Sequence, residues 1–144
     1  MPKLKSQSRD LKEAVLQLAI KTLAKKKGSD LSFRSIAKEL GVQHNAIVYH
    51  FGSKDDLTIA IAARGFKLLT LSLESGAKKK ALPREQLLEI GSSYLGFALE
   101  NPEFYRVMFG AFLSHLAPKD PDLNRASEAA KSIFHTACLK QSWP

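Results

Sequence analysis

Between Gln43 and His50 the chain sets out Gln43, His44, Asn45, Ala46, Tyr49 and His50, a run of amides, imidazoles and a phenol with no carboxylate and no amine. Groups of this kind exchange hydrogen bonds with base edges in the major groove of a duplex. On either side, Ser32, Arg34 and Lys54 stand at or near places where helices should begin. A hydroxyl, a guanidinium and an ammonium beside helix N-termini suit phosphate oxygens. The bland alternative is that both groups are simply solvated polar residues. The elements that carry them decide between the two.

Those elements read as helices. Leu11, Ala14, Val15, Leu18, Ala19, Thr22 and Leu23 recur at steps of three and four and mark one amphipathic face. Lys25-Lys26-Lys27 then places cations at a helix C-terminus, and Gly28 stops it. Ser32 caps a short helix that turns Ile36, Ala37 and Leu40 inward. Gly41 supplies a tight turn, small Ala37 allows close approach, and Val42 and Ile47 lock the next helix, Gln43 to His50, at a steep angle. This is a helix-turn-helix arrangement. Phe51-Gly52 breaks the second helix, and Ser53-Lys54-Asp55-Asp56 forms a capping box for a fourth, from Lys54 to about Ser75. Its apolar residues run nearly all round, so it should be buried between two layers. Leu82-Pro83, Asn101-Pro102 and Asp120-Pro121 open three more helices, with Asn101 and Asp120 as caps. The second lysine triplet, Lys78-Lys79-Lys80, again follows a helical pattern. No segment alternates like a strand. The expected fold class is all-α: a head over residues 1–53 and a helical body over 54–144, joined by the fourth helix.

Composition agrees with a polyanion partner. The chain has 144 residues, 22 basic and 14 acidic, for a net charge of +8. Residues 1–60 hold 11 basic and 6 acidic side chains, and residues 61–144 hold 11 and 8, so the excess is denser in the head. The single cysteine, Cys138, rules out an intrachain disulfide, which points to a reducing, cytoplasmic setting. No run of eighteen apolar residues exists to span a membrane, and the basic, polar start is unlike a secretory signal. Catalytic patterns are missing. Gly91 to Gly96 mimics the outer glycines of a P-loop, but Phe97-Ala98 follows where Lys and Ser or Thr belong. His135 and Cys138 have zinc-ligand spacing but lack two further ligands. No enzyme activity, cofactor or metal is expected.

The segments Ser32 to Val42 and Ile47 to Leu57 resemble the TetR/AcrR class of bacterial transcriptional regulators. The resemblance covers roughly residues 9–60, and its small-residue, turn, aromatic and capping signals fall in register. It differs in Val48, where the family usually has tyrosine, and in Ala46, where threonine is frequent. Gly91 to Gly110 is similar to the body of the subgroup with a WHG-type C-terminal domain. The resemblance implies a three-helix DNA-binding head, a body that takes a small-molecule effector, and a homodimer on a palindromic operator. It implies that some of Phe66, Leu69, Tyr94, Phe97, Phe104, Met108, Phe112 and His115 line an effector pocket. Such an aromatic-rich wall suits an apolar or aromatic ligand. Tyr94 and His115 are the polar groups expected to orient it; the same residues could equally be core.

Family members run well past this length, and their last two helices form most of the dimer interface. This chain has room for one helix after Asp120, so the resemblance marks it as truncated. The expectation is a weak or atypical dimer interface with an apolar patch in the second half, on the helices at 83–100 and 121–139. Ile133, Phe134, Ala137 and Trp143 are the candidate anchors. The function implied is a repressor released from its operator by ligand. The alternative is a truncated interaction protein that pairs with a full-length regulator or is inactive.

Overall fold

The computed structural model of the chain describes residues 2–25, 31–110, 113 and 120–141, with side chains from residue 8 onward. Among the described residues every regular element is a helix, as the periodicity requires. They are α1 (Pro2–Lys25), α2 (Phe33–Leu40), α3 (His44–Phe51), α4 (Lys54–Lys78), α5 (Pro83–Glu100), α6 (Pro102–Phe109) and α7 (Pro121–Leu139). Packing divides the chain into two compact units, residues 1–61 and 62–144. The break falls within α4 rather than at its start.

In the first unit, Val15, Ala19, Ile36, Ile47 and Leu57 are at most 2% exposed and form the core. α1 begins at Pro2, well before the apolar stripe at Leu11. The turns ahead of Leu11 are polar and carry no period to detect. Gly28 and the end of the first lysine triplet lie outside the described residues. α2 ends in a Schellman motif. Gly41 sits in the left-handed region at φ 66°, its N–H donates to the Lys38 carbonyl at 3.3 Å, and the Val42 N–H donates to the Ala37 carbonyl at 3.0 Å. Two orphan carbonyls are thereby satisfied and the chain reverses in two residues. Ala37, 4% exposed, lets α3 come close.

In the second unit α4 runs one turn longer than expected, to Lys78. Its apolar residues do not all go inward. Phe66, Leu69 and Leu73 are buried, but Leu68 is 38% and Leu71 62% exposed. The sequence expectation of burial on every side is corrected here: one flank of α4 faces a cleft. Buried Gly65 lies against α6, where an added Cβ would overlap the Met108 sulfur. The Ser72 hydroxyl donates to the Ser93 carbonyl of α5 at 3.3 Å. Asp120 caps α7 as expected, accepting from the Leu123 N–H at 2.7 Å. Asn101 does not cap α6; its amide turns back and donates to the Phe97 carbonyl at 3.2 Å, closing the end of α5. The candidate anchors on α7 are turned inward: Ile133 and Phe134 are half-buried and Ala137 is buried. Trp143 lies outside the described residues. Of the two helices expected to show apolar surface, α5 does so, with Leu88, Leu95 and Leu99 67%, 62% and 81% exposed at helical spacing.

Candidate nucleic-acid interface

α3 is held by its inner face. Ile47 is fully buried and Phe51 is 5% exposed, one turn apart. The positions opposite Ile47 on a helix of 3.6 residues per turn are Asn45 and Tyr49. Both are exposed, Tyr49 at 86%. Gln43 and His44 are exposed at the N-terminal end of the same helix. Gln43 occupies the N-cap position but makes no capping hydrogen bond, so its amide is not consumed by the backbone. Ala46 and His50 are half-buried and flank the open face. The His44 ring leans on Phe33 with centroids 6.2 Å apart, and the His50 ring meets Tyr49 edge-on at 5.3 Å. The structure thus brings the six sequence candidates onto one short helix, with Asn45 and Tyr49 at the centre of its outward face.

The phosphate candidates sit on helix starts. The Ser32 hydroxyl caps α2, accepting from the Ser35 N–H at 3.4 Å, and Arg34 is exposed in the first turn. Lys54 is exposed at the first position of α4. There the capping box closes in both directions. The Ser53 hydroxyl accepts from the Asp56 N–H at 3.1 Å, and the Asp56 carboxylate accepts from the Ser53 N–H at 3.0 Å and its hydroxyl at 2.6 Å. Lys12, which the spacing did not single out, holds its ammonium 5.7 Å from the Phe51 ring centroid and adds a cation beside the end of α3. Its only sequence signal was a basic residue on the polar side of α1.

Gly52 connects α3 to this box at φ 71°, and an added Cβ would lie 2.9 Å from the Asp56 carboxylate. Gly52→Ala should therefore destabilise the first unit by about 1–3 kcal/mol, through a strained backbone and a displaced cap. Gly91→Ala is the control, since a Cβ there meets nothing within 4 Å and the helix gains propensity. Urea denaturation of both variants reads the difference; equal midpoints would refute the strain account.

Residues 16–61 match the family model described as bacterial regulatory proteins, tetR family. The matched segment runs from within α1 through α2 and α3 into the start of α4. Solved structures agree in fold. A protein of unknown function from Rhodococcus sp. RHA1 is 28% identical with a TM-score of 0.79, over 90% of this chain and 66% of that one. The TetR family transcriptional regulator PfmR from Thermus thermophilus is 22% identical with a TM-score of 0.69, over 87% of this chain and 68% of that one. The chain therefore spans about two thirds of the length of these solved structures. No curated protein matches it.

The body of the chain packs its aromatic candidates together. Phe66, Leu69, Phe97, Phe104 and Met108 are buried. Phe66 meets Phe109 at 5.7 Å, and Tyr94 meets Phe109 and Phe134 at 6.5 and 5.8 Å. The Tyr94 hydroxyl donates to that of Tyr105 at 3.3 Å. Burial, then that hydrogen bond and the neighbouring phenol, push the Tyr94 pKa up from 10.0 to about 12. Tyr94 therefore stays a neutral donor across the physiological range. Phe112 and His115 lie outside the described residues. Among the described residues, two cavities in the body are lined by other residues. One, of about 540 Å³, lies between α4 and α7, and one of about 380 Å³ is lined by α4, α5 and α7. Among the described residues, no group of three or more His, Cys, Asp or Glu could hold a metal ion, and no helix is long and apolar enough to cross a membrane.

Proposed function

We propose that the chain is a transcriptional repressor that binds a palindromic operator as a homodimer and leaves it when a small molecule enters the body. The observation that carries this is α3: its buried Ile47 and Phe51 fix the helix, and its opposite face offers Gln43, His44, Asn45 and Tyr49 to a groove. Ser32, Arg34 and Lys54 hold backbone phosphates beside helix N-termini. Ala46 and His50 border the reading face. Two such heads reach successive major grooves when their recognition helices stand roughly 34–36 Å apart. The exposed leucines of α5 supply apolar surface that association would cover. α4 is one uninterrupted helix with a part in each unit, so a ligand that prefers one placement of its body half biases DNA affinity through it.

Selection of bound duplexes from a random pool tests the reading. A palindrome supports the dimeric repressor. A lone half-site supports the alternative of a chain that needs a longer partner, and no enrichment overturns sequence-specific binding. On the selected site, Lys54→Ala should weaken binding to all sequences alike, because a point charge positions without reading. Gln43→Ala and His44→Ala should instead relax preference at single base pairs, by ~1–3 kcal/mol for each good pairing lost. If both left the selected motif unchanged, the assignment of α3 as the reading helix would be wrong.

A further inference from the structure

The cleft between α4 and α7 is lined on one side by Lys67, Thr70 and Leu71, and on the other by Arg125, Ala126 and Ala129. Each set recurs at helical spacing, so two helix faces look at each other across about 540 Å³. One atom there lacks its normal satisfaction. Hydroxyls elsewhere in the helices turn back onto their own backbone: Thr22 donates to the Leu18 carbonyl at 2.8 Å, and Thr58 to the Lys54 carbonyl at 2.9 Å. The Thr70 hydroxyl does not. Among the described residues it is the one buried side-chain oxygen or nitrogen without a hydrogen-bond partner. A native buried hydroxyl in that state calls for an unrecorded partner.

The charges say which kind. Lys67 lies one turn before Thr70, and Arg125 lies near the start of α7, whose N-terminus is the positive end of its dipole. Asp122 pairs with Arg125 at 3.3 Å, but both side chains are largely exposed, and a guanidinium has five donors, enough for a second carboxylate. Glu74, the other acid lining the cleft, stands seven residues beyond Lys67 on α4, roughly 10 Å away along the helix. Lys67 and Arg125 against Asp122 leave one net positive charge at this end, Asp120 already caps the start of α7, and Leu71, Ala126 and Ala129 line the stretch between that end and Glu74.

We propose that this cleft binds a small amphipathic molecule with one carboxylate. Its anionic end is held by Lys67 and Arg125, with the Thr70 side chain turning its hydroxyl out of the buried position to donate to it, and its hydrocarbon lies over Leu71, Ala126 and Ala129. This names the class and seat of the effector, and for its effect on DNA it rests on the repressor reading; the binding itself does not.

The test uses the whole chain and three probes with one tail and different heads: octanoate, 1-octanol and octylammonium, titrated by calorimetry. Octanoate should bind saturably, and the other two at least about tenfold more weakly. Lys67→Gln, Arg125→Gln and the isosteric Thr70→Val should each weaken octanoate by about tenfold without lowering the urea midpoint, whereas Lys140→Gln, in the neighbouring cavity, should not. Octanoate binding no tighter than octanol, or sensitive to Lys140→Gln but not to Arg125→Gln, overturns the proposal. Duplex affinity is then measured with and without octanoate. Binding at Lys67 and Arg125 that leaves duplex affinity unchanged would keep the site and sink its role in release. Release that persists in Lys67→Gln and Arg125→Gln would keep the release and sink the site.

Discussion

Between about 50 and about 200 mM monovalent salt, affinity for duplex DNA is expected to fall roughly 150-fold. The first sixty residues carry 11 basic against 6 acidic side chains. Ser32, Arg34 and Lys54 stand at helix starts, where backbone N–H groups add their own partial charge. A head that neutralises about four phosphates releases their condensed counterions, and each contributes a slope of about −0.9 in a plot of log K against log salt, near −3.6 in all. Fluorescence anisotropy on a labelled duplex across that range measures the slope. Lys54→Ala should make it shallower by about one phosphate's worth. A slope near zero would remove the nucleic-acid reading, because base contacts alone release few ions.

Ile47→Ala should be the most damaging single truncation in the head, at roughly 2–5 kcal/mol. The Ile47 side chain is fully buried and is the main apolar anchor of an eight-residue helix that could not persist alone in water. Removing it leaves a cavity under α3 and loosens the face that carries Asn45 and Tyr49. Tyr49→Ala, at 86% exposure, should change stability by no more than about 0.5 kcal/mol while still reducing duplex affinity. The two variants separate scaffold from readout. Urea melts give stability, and anisotropy at a temperature where both are folded gives affinity. Equal melts would mean that α3 is not held through Ile47.

The expected failure modes differ because the two halves encode their structure differently. In the head the signals are local. Ser32 accepts from a backbone N–H three residues on, Ser53 and Asp56 satisfy each other's N–H groups, and Gly41 takes a conformation that other residues resist. Each depends on neighbours within one turn, so residue type and spacing reveal it. Asp120 was legible for the same reason. Asn101 was not: one amide could close the helix behind it or open the one ahead, and spacing treats the two alike.

Sequence alone determined the all-helical class, the helix-turn-helix and the residues on its second helix, because periodicity and caps are short-range properties of the chain. It also narrowed that face to six residues, but only packing on Ile47 and Phe51 put Asn45 and Tyr49 at its centre. Only tertiary structure decided what the apolar residues of the body do. Phe66 and Leu69 are buried, while Leu68 and Leu71 on the same helix are open, and Leu88, Leu95 and Leu99 emerge on α5 while Ile133 and Phe134 on α7 are half-buried. Hydrophobic residues are recognised by kind, but their burial depends on which helix arrives opposite and how close it comes. That distance is set by contacts far apart in sequence, such as Gly65 against Met108, which no local pattern records.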